Sequence, residues 1–261
     1  MNLSRTLTAA AVAAVSLALS ASTLAPAQAS APTVAKKKHG VTATVSSTEV
    51  VQDDDVVIKG TVTRAAKGER VVLEIRYAGG SWQRSKVTDR LDRKGRFTLT
   101  DTVGSGRSRD YRVLAPTTGR VKAGRSKRLP VTVYSWRNLT SYDAVRNDAT
   151  YELGDVRMNG VLYPSSIGGS LAAAGGTDYN LERRCRELTT AVGIRDTAPN
   201  GATGTAYLRT DGTQQFTGTY ALTQTASITL PLTDVFRISF DWTATDGAEV
   251  ALGSPRVLCR D

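Results

Sequence analysis

The chain has 261 residues, a net charge of +10, two cysteines and a single histidine, His39. Zinc sites and histidine-based catalytic centres need several such side chains on one folded scaffold, so the composition argues against both. No motif pairs two acidic residues in the way that a glycosidase requires. We therefore expect no enzyme, no cofactor and no metal-ligating residues of these types. No EF-hand-type spacing appears either, and the sequence leaves the presence of a structural calcium ion open.

The first 29 residues have the pattern of a secretory signal peptide. Arg5 precedes the apolar stretch TAAAVAAVSLALSA, and Ala27 and Ala29 satisfy the small-x-small rule for cleavage after Ala29. That stretch is too short to span a bilayer well, and no later segment is apolar enough to do so. We therefore predict a secreted, extracellular protein that is not transmembrane and that could associate with the cell wall.

Charge is distributed unevenly along the chain that remains. Residues 36–130 hold 22 Lys and Arg against 10 Asp and Glu, whereas residues 131–261 hold 11 against 14. This difference favours two domains of different character. The expected organisation is a basic flexible leader that contains His39 (30–40), a first domain (41–134) and a second domain (135–261).

The first domain consists of short strand patterns separated by turns. VVIKGTVT, RVVLEIRYA and RFTLTDTV are strand-like, and the turns AAKGE, GGS and DRKG interrupt them. Such spacing without helical periodicity predicts an antiparallel β-sandwich. Through IKGTV, GERVVLEIRYAGGSWQ, DRKGRFTLT and YRVLAP the domain resembles immunoglobulin-like or fibronectin-like modules of secreted bacterial proteins. The resemblance implies a spacer, adhesion or display role and no particular ligand.

This domain carries nearly all of the positive charge. One interpretation is contact with an anionic polymer, such as teichoic acid or an acidic polysaccharide, or with a membrane surface. The other, which we favour, is a solvated basic exterior that protects strand edges. Nucleic acid is not expected as a partner, because the protein is exported and shows no recognised binding pattern. Trp82 is expected in the core or at a strand end.

The second domain is rich in Gly, Ala, Thr and Asp and contains no lysine. Strand patterns such as VRMNGVLYPSSI and VFRISFDWTA, with the loop GIRDTAPNGATG, predict a second β-sandwich. The ordered motifs NGVLYPSSI, YNLERRCREL, TAVGIRDTAPNGATGTAYLRTDG, LTDVFRISFDW and ALGSPRVL resemble the NPCBM family of carbohydrate-binding modules, from about Trp136 to Cys259. The resemblance implies a galactose-binding-like jelly roll. The stretch PSSIGGSLAAAGG lacks a histidine that family members often carry, so the resemblance specifies the fold better than the ligand.

The two cysteines of an exported protein predict one disulfide, Cys185–Cys259. If YNLERRCREL and SPRVLC are neighbouring strands of the jelly roll, this bond attaches the last strand to one near the middle of the domain. Its role would then be structural.

Seven residues are predicted to contact a sugar, which needs an aromatic face and planar polar groups. Two tyrosines flank a Gly/Ala-rich stretch that we predict as a loop, and five polar residues lie in two other loops. Alternatives remain, since Tyr179 could fill the core beside Leu181 and the polar residues could serve turns. Trp242 follows Phe236, Ile238 and Phe240 at period two and is expected in the core. The seven are Tyr163, Tyr179, Arg195, Asp196, Asn200, Asp246 and Glu249.

These patterns favour a secreted non-catalytic protein. Its C-terminal domain would bind glycan or cell-wall polysaccharide, and its N-terminal domain would be a spacer or an anchor on an anionic surface. The alternative is a structural or interaction protein of the cell envelope that binds no sugar. A monomer is expected, because nothing in the sequence indicates a coiled coil or an obligate interface.

Overall fold

The computed structural model describes residues 37–119, 121–169, 173–245 and 247–261. The predicted signal peptide and most of the predicted leader lie outside the described residues. Within the described ranges the chain is almost entirely β-strand, with one 3-10 helix (Leu139–Ser141) and no α-helix. The same ranges contain no helix long and apolar enough to cross a membrane. The all-β fold class is confirmed.

Nine strands make up the N-terminal half of the described chain. They are β1 (Gly40–Val45), β2 (Glu49–Val51), β3 (Asp55–Thr63), β4 (Arg70–Tyr77), β5 (Gln83–Arg90), β6 (Arg96–Thr102), β7 (Arg109–Ala115), β8 (Gly124–Arg125) and β9 (Leu129–Asn138).

These strands form two sheets around one core. One sheet has the order β1-β3-β6, and the other runs β9-β7-β4-β5, with β2 beside β9 and β8 beside β7. Buried and exposed residues alternate along the strands, so Val56 and Ile58 of β3 share a core with Leu73 of β4 and Val113 of β7. All pairings are antiparallel except that of β2 with β9. The immunoglobulin-like assignment of this sandwich stays a prediction.

Ten strands make up the C-terminal half of the chain that the structure describes. They are β10 (Ala144–Asp148), β11 (Thr150–Met158), β12 (Val161–Gly169), β13 (Ala174–Asn180), β14 (Cys185–Ile194), β15 (Thr203–Thr210), β16 (Thr213–Ala221), β17 (Thr225–Pro231), β18 (Arg237–Ala244) and β19 (Val250–Arg260).

The C-terminal strands form a second antiparallel sandwich. One sheet has the order β10-β13-β18-β15-β16, and in the other β19 lies between β14 and the strands β12 and β9. Phe240 and Trp242 of β18 and Leu252 and Val257 of β19 are buried in the same core. The indole Nε1 of Trp242 donates to Thr150 Oγ1 over 3.2 Å. The expectation that Trp242 is a core residue is confirmed.

Strand β9 belongs to both sandwiches. Its residues 129–131 pair with β7, residues 132–134 with β2 and residues 134–138 with β19. The boundary that we predict after Tyr134 therefore falls inside one continuous strand. The described residues from 37 to 261 accordingly belong to one compact unit, and the division into two domains stays a proposal.

His39 is held by the fold, so the expectation of a flexible position for this residue is wrong. The side chain is buried, with Nε2 3.1 Å from Thr118 Oγ1 and Nδ1 3.4 Å from the Thr63 carbonyl oxygen. Gly124 allows the His39 backbone to approach closely, since a Cβ at Gly124 would lie 2.1 Å from the His39 carbonyl oxygen. In the described structure these partners are a hydroxyl and a carbonyl, neither of which is the carboxylate of a catalytic triad.

The predicted disulfide is confirmed, as is its placement. Strands β14 and β19 are neighbours, Cys185 lies directly opposite Cys259, and the two are bonded. The cysteines are 74 residues apart in sequence. Closing a loop of that length stabilises the fold by about 4 kcal/mol, because it reduces the entropy of the unfolded chain.

Candidate functional site

Four connections of the C-terminal sandwich lie together at one end. They are the β11–β12 turn, the β14–β15 loop, the β16–β17 turn and the β18–β19 loop. The Gly160 amide donates to Asp196 Oδ2 over 2.9 Å, and the Arg195 amide donates to the Glu249 carbonyl over 3.1 Å. A shallow depression separates Asp196 from Leu222 on the β16–β17 turn.

This loop end holds four of the predicted ligand residues. Arg195 and Glu249 form a partly buried ion pair, whereas Asp196 and Asn200 are exposed on the β14–β15 loop. Asp246 lies outside the described residues. The contacts of Arg195, Asp196 and Glu249 join one loop to the next, which is the turn-stabilising role that the sequence left open. A ligand role for these residues stays a prediction.

The two predicted tyrosines do not flank a long loop. Tyr179 lies in β13 and is buried in the core, which is the alternative that the sequence left open for this residue. Burial raises the pKa of its phenol. Tyr163 lies in β12 and is partly buried, on the side of the sheet that carries Met158.

The Gly/Ala-rich stretch is mostly strand, and the loop prediction for it is wrong. The physical reason is the indole of Trp242. A Cβ at Gly169 would lie 2.3 Å from this ring, and a Cβ at Gly175 would lie 2.7 Å from it. These glycines therefore allow close packing over a large core side chain, rather than a turn.

A second group of polar side chains covers the outer surface of the sheet β10-β13-β18-β15-β16. The two nitrogens Nε and Nη2 of Arg146 donate to Asp178 Oδ1 over 3.0 and 2.8 Å, and Nη2 also donates to Asp241 Oδ1. Arg209 donates to the other oxygen of Asp241. Arg237 Nη1 lies 3.8 Å from Asp178 Oδ2. We call Arg146, Asp178, Arg209, Arg237 and Asp241 the polar face.

Strand pairing brings these residues together. In β18 the even-numbered side chains Ile238, Phe240 and Trp242 point into the core, so Ser239 and Asp241 point outward. In the neighbouring strands, Asp178 and Arg209 lie opposite Ser239, and Gly176 lies opposite Asp241.

Gly176 is required for this arrangement. A Cβ at this position would lie 2.3 Å from Asp241 Oδ1 and 2.8 Å from the terminal nitrogens of Arg146. Because glycine has no side chain, the guanidinium of Arg146 reaches across β13 to Asp241.

The charges of the polar face stabilise one another. Burial raises the pKa of Asp178, but hydrogen bonds from Arg146 and Ser239 outweigh this effect and hold the pKa below its ordinary value. The hydrogen bond with Asp178 raises the pKa of Arg146 above its ordinary value. These contacts hold the three guanidiniums and two carboxylates of the face in fixed positions.

Tyr207 places an aromatic ring beside these charges. It lies directly opposite Asp241 in the β15–β18 pairing and is partly exposed, and the Arg209 guanidinium is 5.6 Å from its ring centroid. On the same side of the sheet the hydroxyls of Thr205 and Thr219 are 2.8 Å apart. An aromatic ring next to planar donors and acceptors is the combination that sugar recognition requires.

Sequence reasoning missed the polar face. The alternation of β18 assigns Arg237, Ser239 and Asp241 to the outer side, and this was the available signal. The partners come from other strands, with Arg146 and Asp241 separated by 95 residues. No local sequence pattern predicts a contact between residues so far apart in the chain.

Residues 131–251 match the NPCBM/NEW2 domain family. The match starts within β9 and ends within β19, and it includes the polar face and most of the loop end. The resemblance that the sequence motifs indicated for the C-terminal half is confirmed over this segment. No curated protein is similar enough in sequence to match the chain.

Two solved structures are similar to parts of the chain. "The structure of CBM51 from Clostridium perfringens GH95 in complex with methyl-galactose" is 15% identical, covers 47% of this chain and 99% of its own, and has a TM-score of 0.39. A structure of CBM51-2 in complex with GlcNAc and INT domains from Clostridium perfringens ZmpB is 10% identical, covers 61% of this chain and 39% of its own, and has a TM-score of 0.42. At these scores neither similarity bears on the ligand of this chain.

Proposed function

We propose that the chain is a secreted, non-catalytic protein whose C-terminal domain (135–261) binds carbohydrate on the polar face. The observation that carries the proposal is the set of hydrogen-bonded Arg and Asp side chains around the partly exposed ring of Tyr207. The NPCBM/NEW2 match over residues 131–251 supports the same class of ligand. Glycan or cell-wall polysaccharide is the expected partner.

The proposed contact uses the two kinds of surface that a sugar ring presents. The C–H side of the ring would stack on Tyr207, and neighbouring hydroxyls would bond to the guanidinium and carboxylate edges of Arg209 and Asp241. Because these groups are already held by one another, little side-chain entropy is lost on binding. Affinity would still be modest, micromolar or weaker for one site, since few atoms take part.

The same geometry favours binding over hydrolysis. Glycosidases need one carboxyl group that is protonated and able to donate to the leaving oxygen. Arg146 holds Asp178 in its ionised form, with a pKa below the ordinary value. Asp241 accepts from both Arg146 and Arg209. These carboxylates therefore suit the role of hydrogen-bond acceptors.

The test is a glycan and cell-wall polysaccharide screen with the mature chain, followed by titration of the best ligand. We expect Tyr207→Ala to weaken binding at least tenfold, because the stacking surface is lost. Tyr151→Ala is the matched control, since Tyr151 is an exposed tyrosine of the other sheet, and it should change affinity less than twofold. If Asp196→Ala abolishes binding and Tyr207→Ala does not, the site is at the loop end.

The alternative is a structural or interaction role in the cell envelope without sugar binding, with the N-terminal sandwich as the anchor. The excess of arginine on one sheet of that sandwich favours it. Retention on whole cells that is salt-sensitive, and that soluble sugars do not reverse, would support this alternative.

A further inference from the structure

The outer surface of the N-terminal sheet β5-β4-β7 carries a second charged network. Five guanidiniums surround two carboxylates, Glu74 and Asp110. Four of the guanidiniums come from four different strands, so strand pairing fixes their spacing, and the fifth belongs to the residue directly before β9. We call this group the arginine face: Arg76, Arg84, Arg112, Arg125 and Arg128.

Glu74 is the centre of the first cluster. Arg112 Nε lies 2.6 Å and Arg125 Nε 3.0 Å from Glu74 Oε2, and Arg84 Nε lies 3.9 Å from Oε1. These arginines come from β7, β8 and β5, on both sides of the glutamate. Burial raises the pKa of Glu74, but hydrogen bonds from Arg125 and Arg112 outweigh it and hold the pKa below its ordinary value.

Asp110 is the centre of the second cluster. Arg76 Nη2 and Arg128 Nε each lie 2.8 Å from one of its carboxylate oxygens. In the β4–β7 pairing Arg76 lies opposite Asp110, two residues along from the pair formed by Glu74 and Arg112. At about 3.4 Å per residue the two clusters are about 7 Å apart along the strands.

The carboxylates lie beneath the guanidiniums. The side chains of Glu74 and Asp110 are 5% and 17% exposed, whereas those of Arg84 and Arg128 are 68% and 60% exposed. The solvent-exposed surface of the network is therefore positively charged, because the network has three more guanidiniums than carboxylates. The buried acids orient the arginines and do not shield their outer edges.

Trp82 further restricts the arginines. The guanidinium carbons of Arg76 and Arg112 lie 4.7 and 4.1 Å from its ring centroid. The indole precedes β5 on the outer side of the sheet, so the expected position at a strand end is observed and the core position is not. Arg76 and Arg112 each make a cation–π contact with Trp82 and an ion pair with a carboxylate. Both side chains are therefore held in position in the absence of a ligand.

We propose that the arginine face binds a linear polymer of phosphodiester groups, of the polyol phosphate type. Guanidinium forks match phosphate oxygens in two-point contacts, and a phosphate can bridge forks from different strands. Two clusters about 7 Å apart favour a polymer over single ions, because the second contact is intramolecular once the first is made. This inference does not depend on carbohydrate binding by the C-terminal sandwich.

The experiment is a titration of the mature full-length chain with synthetic poly(glycerol phosphate) at several salt concentrations. The test variant is Arg84→Gln with Arg128→Gln. It leaves Glu74 paired with Arg112 and Arg125, and Asp110 paired with Arg76, so the fold is retained. The matched control is Arg93→Gln with Lys94→Gln, which removes two exposed charges from the β5–β6 turn.

We expect the test variant to bind at least tenfold more weakly, and its plot of log K against log salt to be less steep by about 1 to 2, because two phosphate contacts are lost. The control should stay within twofold of the parent. Equal weakening of both variants would overturn the proposal, since charge alone would then explain binding. Tighter binding of poly-glutamate or of an oligonucleotide, at equal charge number, would overturn the assignment to a polyol phosphate.

Discussion

The polar face of the C-terminal sandwich and the arginine face of the N-terminal sandwich are assembled in the same way. In each, carboxylates on the outer side of a sheet pair with guanidiniums from neighbouring strands. They differ in stoichiometry, with three guanidiniums for two carboxylates in one and five for two in the other. The near balance beside Tyr207 suits a neutral, hydroxylated ligand, whereas the excess in the other face suits a polyanion. If both proposals hold, the ratio of charges, rather than the scaffold, would separate the two ligand classes.

The largest expected effect distinguishes the two halves by stability. Replacing both cysteines, Cys185→Ser with Cys259→Ser, should lower the free energy of unfolding by about 4 kcal/mol. Urea denaturation measures this value, and reduced, alkylated parent protein is the control that should match the variant. A loss below 1 kcal/mol would contradict the role of the bond.

A smaller effect is expected on the stability of the fold at low pH. Glu74 and Asp178 have pKa values below their ordinary values of 4.5 and 3.8. Each therefore stabilises the fold above its ordinary pKa, and this contribution is lost as pH falls through the lower folded-state pKa. Glu74→Gln should cost about 2 kcal/mol at neutral pH, because three guanidiniums lose a buried partner.

Urea midpoints between pH 7 and pH 2 test this expectation. The Glu74→Gln variant should lose less stability on acidification than the parent does, while the contribution of Asp178 in the other half remains. Asp234→Asn is a control at a charged residue of the β17–β18 connection. An unchanged pH dependence in Glu74→Gln would show that the arginine face does not hold this carboxylate in its ionised form.

The smallest effect is specific to the polar face. In Gly176→Ala the added methyl would overlap Asp241 Oδ1 and displace Arg146. We expect a loss of about 1 kcal/mol in stability and severalfold weaker glycan binding, with poly(glycerol phosphate) binding unchanged. Gly104→Ala is the matched control, because no atom lies within 4 Å of the Cβ position there. Equal loss of both ligands in Gly176→Ala would mean that the two faces are not independent.

Local patterns predicted much of this structure. Period two along β18 placed Trp242 inside, and the two cysteines of the chain predicted a bond that the strand register then located. The Gly/Ala-rich stretch was misread, because glycine serves both turns and close packing, and only the position of Trp242 distinguishes them. His39 was assigned to a leader because a run of lysines does not reveal a buried ring.

The two charged faces could not be predicted, for a related reason. Arg146, Asp178 and Asp241 lie on three strands that are distant in sequence, and Glu74 and Arg112 lie on two. A shift of one residue in any pairing would turn these side chains into the core. The sequence shows which residues alternate, but the register between strands decides which of them meet.

The continuity of β9 determines how the two faces could act together. A flexible tether would let each face search for its own ligand, and the gain in avidity would depend on tether length. Here the single strand β9 is hydrogen-bonded to β7 at its start and to β19 at its end. No flexible linker therefore separates the two sandwiches at this strand. Simultaneous binding would therefore select surfaces on which the distance between phosphate and sugar matches the fixed distance between the two faces. The protein would then recognise the spacing of the two polymers as well as their chemistry.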